Sequence, residues 1–498
     1  MALLGFHLTA SVIATLFLHR VLVYMPVVNW LLSGLLVWTV PGKAYLSEYV
    51  QLAEKTSNGT GAKSKSLRKN AAEKRKNQQP SSAAEKDIDL PKDLPLPLLP
   101  VKLKSRDSGA LLYYDELFTI LNMALVAGLV FVASEVFQSL YPAKWLADVN
   151  LTVVWLCLVL VYCMKMLTQL TWLVVKANRL QSGERTLILL TGVCFFLLAI
   201  LTMVLDGSWL DLKLDRGLAQ LVSVVKNDGK VQQKRVSNLF YLLKALVAIS
   251  AALFASTLVF PALRLARSYL GALKRSSLLG RLLCQAVFVS PLLLLLLWVP
   301  PLTTGVLFPD GHDPLIPGLT LAQYEHLRLL LVLHYCAMRL LMSRWHLQMY
   351  LDGAHRHVEA RRQATTRFTA SKFDTAMRTM NSSLAVVALQ IVCPVIVLLT
   401  CVAILHSAGN FSWTGEYHVA SPAAPINHTE STGNSFRLVS RLPSLIQLLV
   451  PMDFFAAVVS FYTVWTLIAI SVTTFLGFLY ANFVEKDISS STLVRTGA

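Results

Sequence analysis

The chain has 498 residues, of which 55% are apolar and only 15% are charged. This balance excludes a string of soluble domains and is typical of a polytopic membrane protein. The net charge of +17 does not indicate nucleic acid as a partner. The Lys and Arg side chains cluster beside apolar stretches, where anionic lipid attracts them, and no nucleic-acid-binding signature accompanies them.

The first segment, 1–40, is apolar with few charged side chains. It predicts an uncleaved hydrophobic helix, or one arm of a hairpin in which Pro26 makes the turn to a second arm at 27–40. A cleaved signal peptide is the alternative, although the segment lacks the basic start that such peptides carry.

Segment 41–110 has a different composition. Its Lys and Arg side chains at 63–76 lie among Ser, Asn and Gln, and the proline-spaced stretch PKDLPLPLLP follows at 91–100. Such a segment cannot bury enough apolar surface to fold alone. We therefore predict a basic disordered loop on the cytoplasmic side.

Eight further apolar stretches are each long enough to cross a hydrocarbon core of ~30 Å at ~1.5 Å per residue. They predict an all-α fold, a polytopic integral membrane helix bundle over 111–482, followed by a short cytoplasmic tail at 483–498. The predicted spans lie near 117–140, 151–175, 186–206, 239–263, 282–300, 325–343, 384–407 and 454–481.

Basic side chains set the expected orientation of these spans, because short loops rich in Lys and Arg stay on the cytoplasmic side. Arg264 and Arg267 follow the span at 239–263, so that end is predicted to be cytoplasmic. By alternation, the basic loops 176–185 and 344–383 also fall inside.

The remaining loops are predicted to lie outside. Loop 301–324 contains no Lys or Arg, and loop 408–453 carries the sequons at Asn410 and Asn427, which we predict to be N-glycosylated. Loop 207–238 is the exception, since it is assigned outside although it is basic. Its leucines predict a helix that lies along the membrane interface.

Ionisable side chains within spans are the first candidates for function, because charges at membrane depth are unfavourable. Glu135 and Lys244 lie at similar predicted depths. A buried pair that fixes helix register, snorkelling to the interface and a role in transport are the open interpretations.

The other intramembrane charges are all cations. Lys165 lies deeper, and it is either a substrate-binding residue or a contact to Gln169, a backbone carbonyl or a lipid headgroup. Arg328 and Arg339 are eleven positions apart, which places them within ~20° of one helix face. They form either a basic stripe along a path for anions or two snorkelling side chains.

No pattern of enzyme or cofactor chemistry accompanies these charges. The seven cysteines all fall in apolar segments without CxxC spacing, and His355 and His357 lack an HExxH pattern or a Cys partner. GxSxG, P-loop and GxGxxG sequences are also missing. We therefore expect no disulfide framework, no metal, no cofactor and no enzymatic activity.

Several blocks of sequence, in the same order and spacing, resemble the transmembrane protein 161 family. The resemblance extends from about residue 86 onward. Its blocks are KDIDL at 86–90, FPALRLARSYLGAL at 260–273, LLWVPPLT at 296–303, SRWHLQMYL at 343–351, ALQIVCPVIVLL at 388–399 and GNFSW at 409–413.

This resemblance implies a multi-pass membrane protein associated with protection against oxidative stress and apoptosis, and with restraint of calcium and potassium currents. It supplies no catalytic or binding residues. Our first hypothesis is a non-enzymatic modulator of ion homeostasis and cell survival. It would act through another membrane protein, such as an ion channel, or through anionic lipid at the basic segments 41–110 and 344–383.

The alternative hypothesis is an ion channel or transporter in its own right, with the buried charges along its path. Both hypotheses place the protein in a lipid bilayer. Because the basic loops come without a retention signal, the endoplasmic reticulum and the plasma membrane are both open as its location.

Overall fold

The computed structural model describes residues 6–24, 26–58, 89–90, 98–140, 152–176, 182–206, 209–227, 233–275, 277–307, 320–364, 368–408 and 452–484. The chain divides into two compact units. The first, called here the bundle unit, comprises 1–31, 115–346 and 386–498, and the second, the small unit, comprises 32–114 and 347–385.

Helices dominate the described chain, which confirms the predicted all-α class. In chain order the elements are α1 (Phe6–Tyr24), α2 (Val27–Leu32), β1 (Leu36–Thr39), α3 (Lys43–Asn58), β2 (Leu99–Lys102), α4 (Ser105–Ser108), α5 (Tyr114–Leu140), α6 (Thr152–Lys176), α7 (Ser182–Val204), α8 (Leu214–Asn227), α9 (Gln233–Thr257), α10 (Val259–Arg275), α11 (Leu278–Leu296), α12 (Thr304–Leu307), α13 (Leu321–Ala364), α14 (Ala370–Ser382), α15 (Leu384–Ala408) and α16 (Met452–Leu479), which a π-helical turn (Tyr480–Val484) extends.

Six apolar helical stretches of the described chain are long enough to cross a bilayer, which confirms a polytopic membrane bundle. They are Tyr114–Phe137, Thr152–Leu173, Asn238–Lys274, Leu278–Leu296, Ala370–Ser407 and Phe454–Phe483.

Two of the eight predicted spans are not among these six. The span at 186–206 corresponds to a shorter apolar helix, Ile188–Val204. The span at 325–343 lies within α13, whose mean hydropathy is lowered by Arg328, Arg339 and Arg344. A total of eight core spans therefore stays a prediction.

The bundle unit owes its close packing to apolar and small side chains. Every residue from Val386 to Leu398 of α15 is buried. Helices α10 and α16 pack against each other, and α7 packs on α9. At Gly477 of α16, an added Cβ would lie 3.0 Å from the carbonyl oxygen of Ala262 and 3.3 Å from the Cβ of Ala266. Small residues allow two backbones to approach closely within a membrane bundle.

The helix that crosses the bundle from residue 238 to residue 274 is broken near its middle. Helix α9 ends at Thr257 and α10 begins at Val259, with Pro261 in its first turn, where the missing amide hydrogen of proline is tolerated. Arg264 and Arg267 therefore lie on a helix and not in the short loop that we predicted.

The prediction of a helix within 207–238 is confirmed by α8, but its apolar face does not face lipid. Leu214, Leu218 and Val222 are buried, because α8 packs against α16 and α9. The amphipathic pattern was correct about the helix. It could not tell a protein surface from a membrane surface.

At the N-terminus the chain turns at Pro26, as in the hairpin interpretation, but the residues after the turn do not form the long second arm of that interpretation. Pro26 separates α1 from α2, and its carbonyl accepts a hydrogen bond from the Asn29 amide at 2.9 Å. The second arm is not one helix, because α2 is short and strand β1 follows it.

In the small unit, β1 and β2 form an antiparallel pair in which Val37 faces Val101. Residues within 41–110 that we predicted to be disordered therefore form a strand and the helices α3 and α4. Leu46 of α3 and Leu90 join Phe368 and Phe373 in a buried core. The segment folds because residues after 347 bury these apolar side chains. Segment 63–76 lies outside the described residues.

Candidate functional site

A network of charged side chains connects the ends of several helices in the bundle unit. Asp206 lies just beyond α7 and holds the connector to α8, because its two carboxylate oxygens accept the backbone amides of Leu212 and Asp215 at 3.1 Å each. A carboxylate that accepts backbone amides fixes the conformation of a connector. We call the following set of side chains the Arg328 network: Asp206, Asp211, Lys213, Asp215, Lys244, Trp298, Glu325 and Arg328.

Lys213 lies between those two amides in a conformation with φ of 60°. This left-handed region is uncommon for a residue with a side chain. The Lys213 ammonium donates to the Glu325 carboxylate of α13 at 2.9 Å. The unfavourable backbone conformation thus points this side chain to a partner on another helix.

Arg328 is buried and is held by two contacts of different kinds. Its guanidinium carbon lies 4.6 Å from the centre of the Trp298 ring, and its Nη1 lies 3.4 Å from an oxygen of Asp211. The Asp211 amide in turn donates to the Trp298 carbonyl at 3.2 Å. A cation between an aromatic face and a carboxylate is stabilised where it lies, so its side chain does not have to extend to the membrane interface.

Lys244 does not pair with Glu135, the partner that we considered from their depths. Its ammonium lies 2.6 Å from the Asp215 carboxylate, and 5.0 Å from the centre of the Phe240 ring. Asp215 was not considered as the partner of Lys244, because it was assigned to a loop. It is brought to the bundle by the first turn of α8.

Glu135 instead contacts His406, which in turn packs against the ring of His326. One of its oxygens lies 3.4 Å from Nδ1 of His406, and the rings of His406 and His326 have centres 6.0 Å apart. Both histidines are buried. This grouping was not predictable from the sequence, because the residues lie far apart in the chain and only packing brings them together.

Lys165 lies on the surface of the bundle unit. Its side chain is exposed, and its ammonium lies 5.7 Å from the centre of the Tyr162 ring on the same helix. Gln169 is exposed as well. This placement favours a contact with lipid over the substrate-binding interpretation.

Arg339 lies apart from the Arg328 network, so the two arginines do not form one continuous charged surface. It is only 7% exposed and lines a small cavity with Gln390 and Pro394 of α15 and Thr473 and Thr474 of α16. The cavity is small and partly open to the surface of the bundle unit. Burial excludes the predicted snorkelling of Arg339.

The paired groups among these hold helices and connectors in place. Within the described ranges, no cluster of three or more His, Cys, Asp or Glu side chains is arranged to hold a metal ion. The predicted glycosylation sites Asn410 and Asn427 lie outside the described residues and stay predictions.

The comparisons with known proteins agree with this architecture. A family model described as "Predicted transmembrane protein 161AB" matches residues 2–485. No solved structure matches the chain.

Proposed function

Because the chain belongs to the transmembrane protein 161 family, we propose that it modulates calcium and potassium homeostasis, and cell survival under oxidative stress, without enzymatic activity. It acts on a partner in the same membrane, an ion channel being the first candidate. Anionic lipid at its basic segments assists that contact.

The observation that carries this proposal is that two of the intramembrane cations already have partners within the protein. Lys244 is paired with Asp215, and Arg328 is held by Asp211 and Trp298. Lys165 lies on the exterior surface of its helix. Charges engaged in this way stabilise a bundle, which supports a modulator over a conductor of cations.

The basic segments supply the means of contact. In the small unit, the side chains of Lys372 and Arg378 on α14 are exposed, and segment 63–76 contains seven Lys and Arg residues with Glu73 as its one acidic residue. Such segments bind anionic lipid headgroups or acidic protein surfaces, with about 1 kcal/mol per basic residue near a charged membrane.

The experiment is a recording of currents through a voltage-gated potassium channel and, separately, a calcium channel, each with and without the full chain. We expect the full chain to reduce both currents and the deletion of 63–76 to weaken that effect. Deletion of the uncharged stretch 77–84 is the matched control and should leave it unchanged. Currents that do not respond to the full chain would contradict the proposal.

The alternative is a channel or transporter in its own right, and one observation favours it. Pro394 interrupts the hydrogen bonding of α15 beside the cavity that contains Arg339. Interrupted helices beside a buried charge are a feature of transport sites. A flux that depends on Arg339 would support this alternative.

The compartment of action is also part of the proposal. Residence in the endoplasmic reticulum and residence in the plasma membrane predict different glycans at Asn410 and Asn427. Immature glycans on the full chain indicate the former, and mature glycans indicate the latter.

A further inference from the structure

The guanidinium of Arg339 has no counter-charge within the described part of the chain. Its Nε is buried without a hydrogen-bond acceptor, and no carboxylate among the described residues lies within ion-pair distance. An isolated charge buried in a low-dielectric interior is strongly unfavourable unless it is paired or hydrogen-bonded. Among the described residues, the cavity that Arg339 lines offers a place where a counter-ion can meet it.

A second polar group of the cavity is also incomplete. Gln390 is 2% exposed, and its Oε1 is buried without a hydrogen-bond donor. An amide oxygen and nitrogen are assigned by their partners, so the side chain can present either group. Because Pro394 lacks an amide hydrogen, the Gln390 carbonyl also loses its usual helical partner.

Two hydroxyls complete the polar side of the cavity. Thr473 and Thr474 donate to the carbonyls of Ala469 and Ile470 on their own helix, each at 2.6 Å. A hydroxyl rotates readily, so either one can turn its hydrogen to a ligand and give up its bond to the helix carbonyl.

The other walls are apolar and narrow. They come from Leu258 and Leu265 at the break between α9 and α10, and from Ile391 and Ile470. The cavity has no Asp or Glu among the described residues that line it. Its composition fits a single small anion beside one cation and excludes a cation as the ligand.

From this geometry we propose that the cavity binds a small inorganic anion of the size of chloride. The Arg339 guanidinium supplies the charge, and the Gln390 amide and a threonine hydroxyl supply neutral donors. The site goes beyond the modulation of currents, since an anion held here links α13, α15 and α16 whether or not the protein acts on a channel.

The test measures the melting temperature of the purified full chain in detergent, in chloride and in gluconate at equal ionic strength. Gluconate is too large for the cavity. We expect chloride to raise the melting temperature by about 2 °C at a concentration tenfold above its Kd. Arg339→Met removes the charge at similar volume and should abolish the difference between the two salts.

Arg344→Met is the matched control. Arg344 lies five residues farther along α13, and its Nη1 donates to the Trp30 carbonyl at 3.2 Å. We expect this variant to keep the chloride effect. Gln390→Leu serves as a second probe if Arg339→Met does not fold, and it should weaken the chloride effect at least threefold in apparent affinity.

Two results would overturn the proposal. One is a wild-type melting temperature that does not distinguish chloride from gluconate. The other is a chloride effect that survives unchanged in Arg339→Met, or in Gln390→Leu where the first variant is unfolded. An effect of anionic lipid that replaces chloride and needs Arg339 would assign the site to a headgroup, and would overturn the assignment to a free anion.

Discussion

Arg328 lies over the ring of Trp298, with its guanidinium carbon 4.6 Å from the ring centre, and reaches Asp211 at 3.4 Å. The two residues come from helix ends thirty positions apart in the chain. The contact joins the end of α11 to the start of α13 and holds the connector that contains Asp211.

Loss of Arg328 should therefore weaken the bundle unit. Because Asp211 is about a third exposed, screening reduces the effect of the ion pair. We expect Arg328→Met to cost about 1–3 kcal/mol, and Arg328→Lys to recover only part of it, since ammonium lacks the planar geometry of guanidinium. Chemical denaturation in detergent measures both values, and equal stability of the wild type and Arg328→Met would contradict the contact.

The partner of Lys244 can be identified by a double-mutant cycle. Since the Asp215 side chain is almost half exposed, we expect a coupling of about 0.2–1 kcal/mol between Lys244→Met and Asp215→Asn. The same cycle between Lys244→Met and Glu135→Gln should give a coupling near zero. A larger coupling with Glu135 than with Asp215 would restore the pairing that the sequence suggested.

Gly477 and Gly192 provide a matched pair of helical glycines. Alanine is favoured over glycine in a helix by about 1 kcal/mol, and an added Cβ at Gly192 has open space around it. We expect Gly192→Ala to be neutral or stabilising. At Gly477 the added Cβ meets the Ala262 carbonyl, so Gly477→Ala should destabilise by about 1–3 kcal/mol.

Melting temperatures of the two glycine variants in the same detergent check this prediction. The sign of the difference is the informative result. If both substitutions stabilise the protein equally, α10 and α16 do not approach each other as closely as described.

Helix α3 should be protected although its segment looks disordered in the sequence. Leu46 is 1% exposed in the core of the small unit, so Leu46→Ala should cost about 2–4 kcal/mol. Hydrogen exchange over 43–58 reports this directly. Rapid exchange of those amides in the wild type would mean that the core does not form. Leu52→Ala, at an exposed position on α3, is the control variant for Leu46→Ala.

The fold class and six of the spans were predictable because they depend on local composition. Long apolar stretches specify membrane helices whatever they contact. The break at Thr257 was missed because Pro261 is tolerated in the first turn of a helix, so the apolar pattern runs through it. The order within 41–110 was missed for the opposite reason, since Leu46 and Leu90 are buried by residues more than 250 positions later.

The sites were less predictable, because the depth of a residue along a span does not specify how the helix is rotated about its axis, and so does not specify which neighbour the side chain faces. Lys244 and Glu135 agree in depth but face different neighbours, and the true partner Asp215 lies on a helix that had been assigned to a loop. Arg339 was recognised as a candidate from its position. Its cavity depends on Gln390, which is an ordinary polar residue until packing buries it.

The most direct test of the central claim is ion flux through the purified, folded chain in liposomes. If the protein is a modulator, the purified chain should pass no potassium or calcium above the level of protein-free liposomes, and Lys165→Ala should give the same result. A potassium or calcium flux that Lys165→Ala or Arg339→Met abolishes at equal reconstitution would contradict the claim and establish the chain as a conductor of ions.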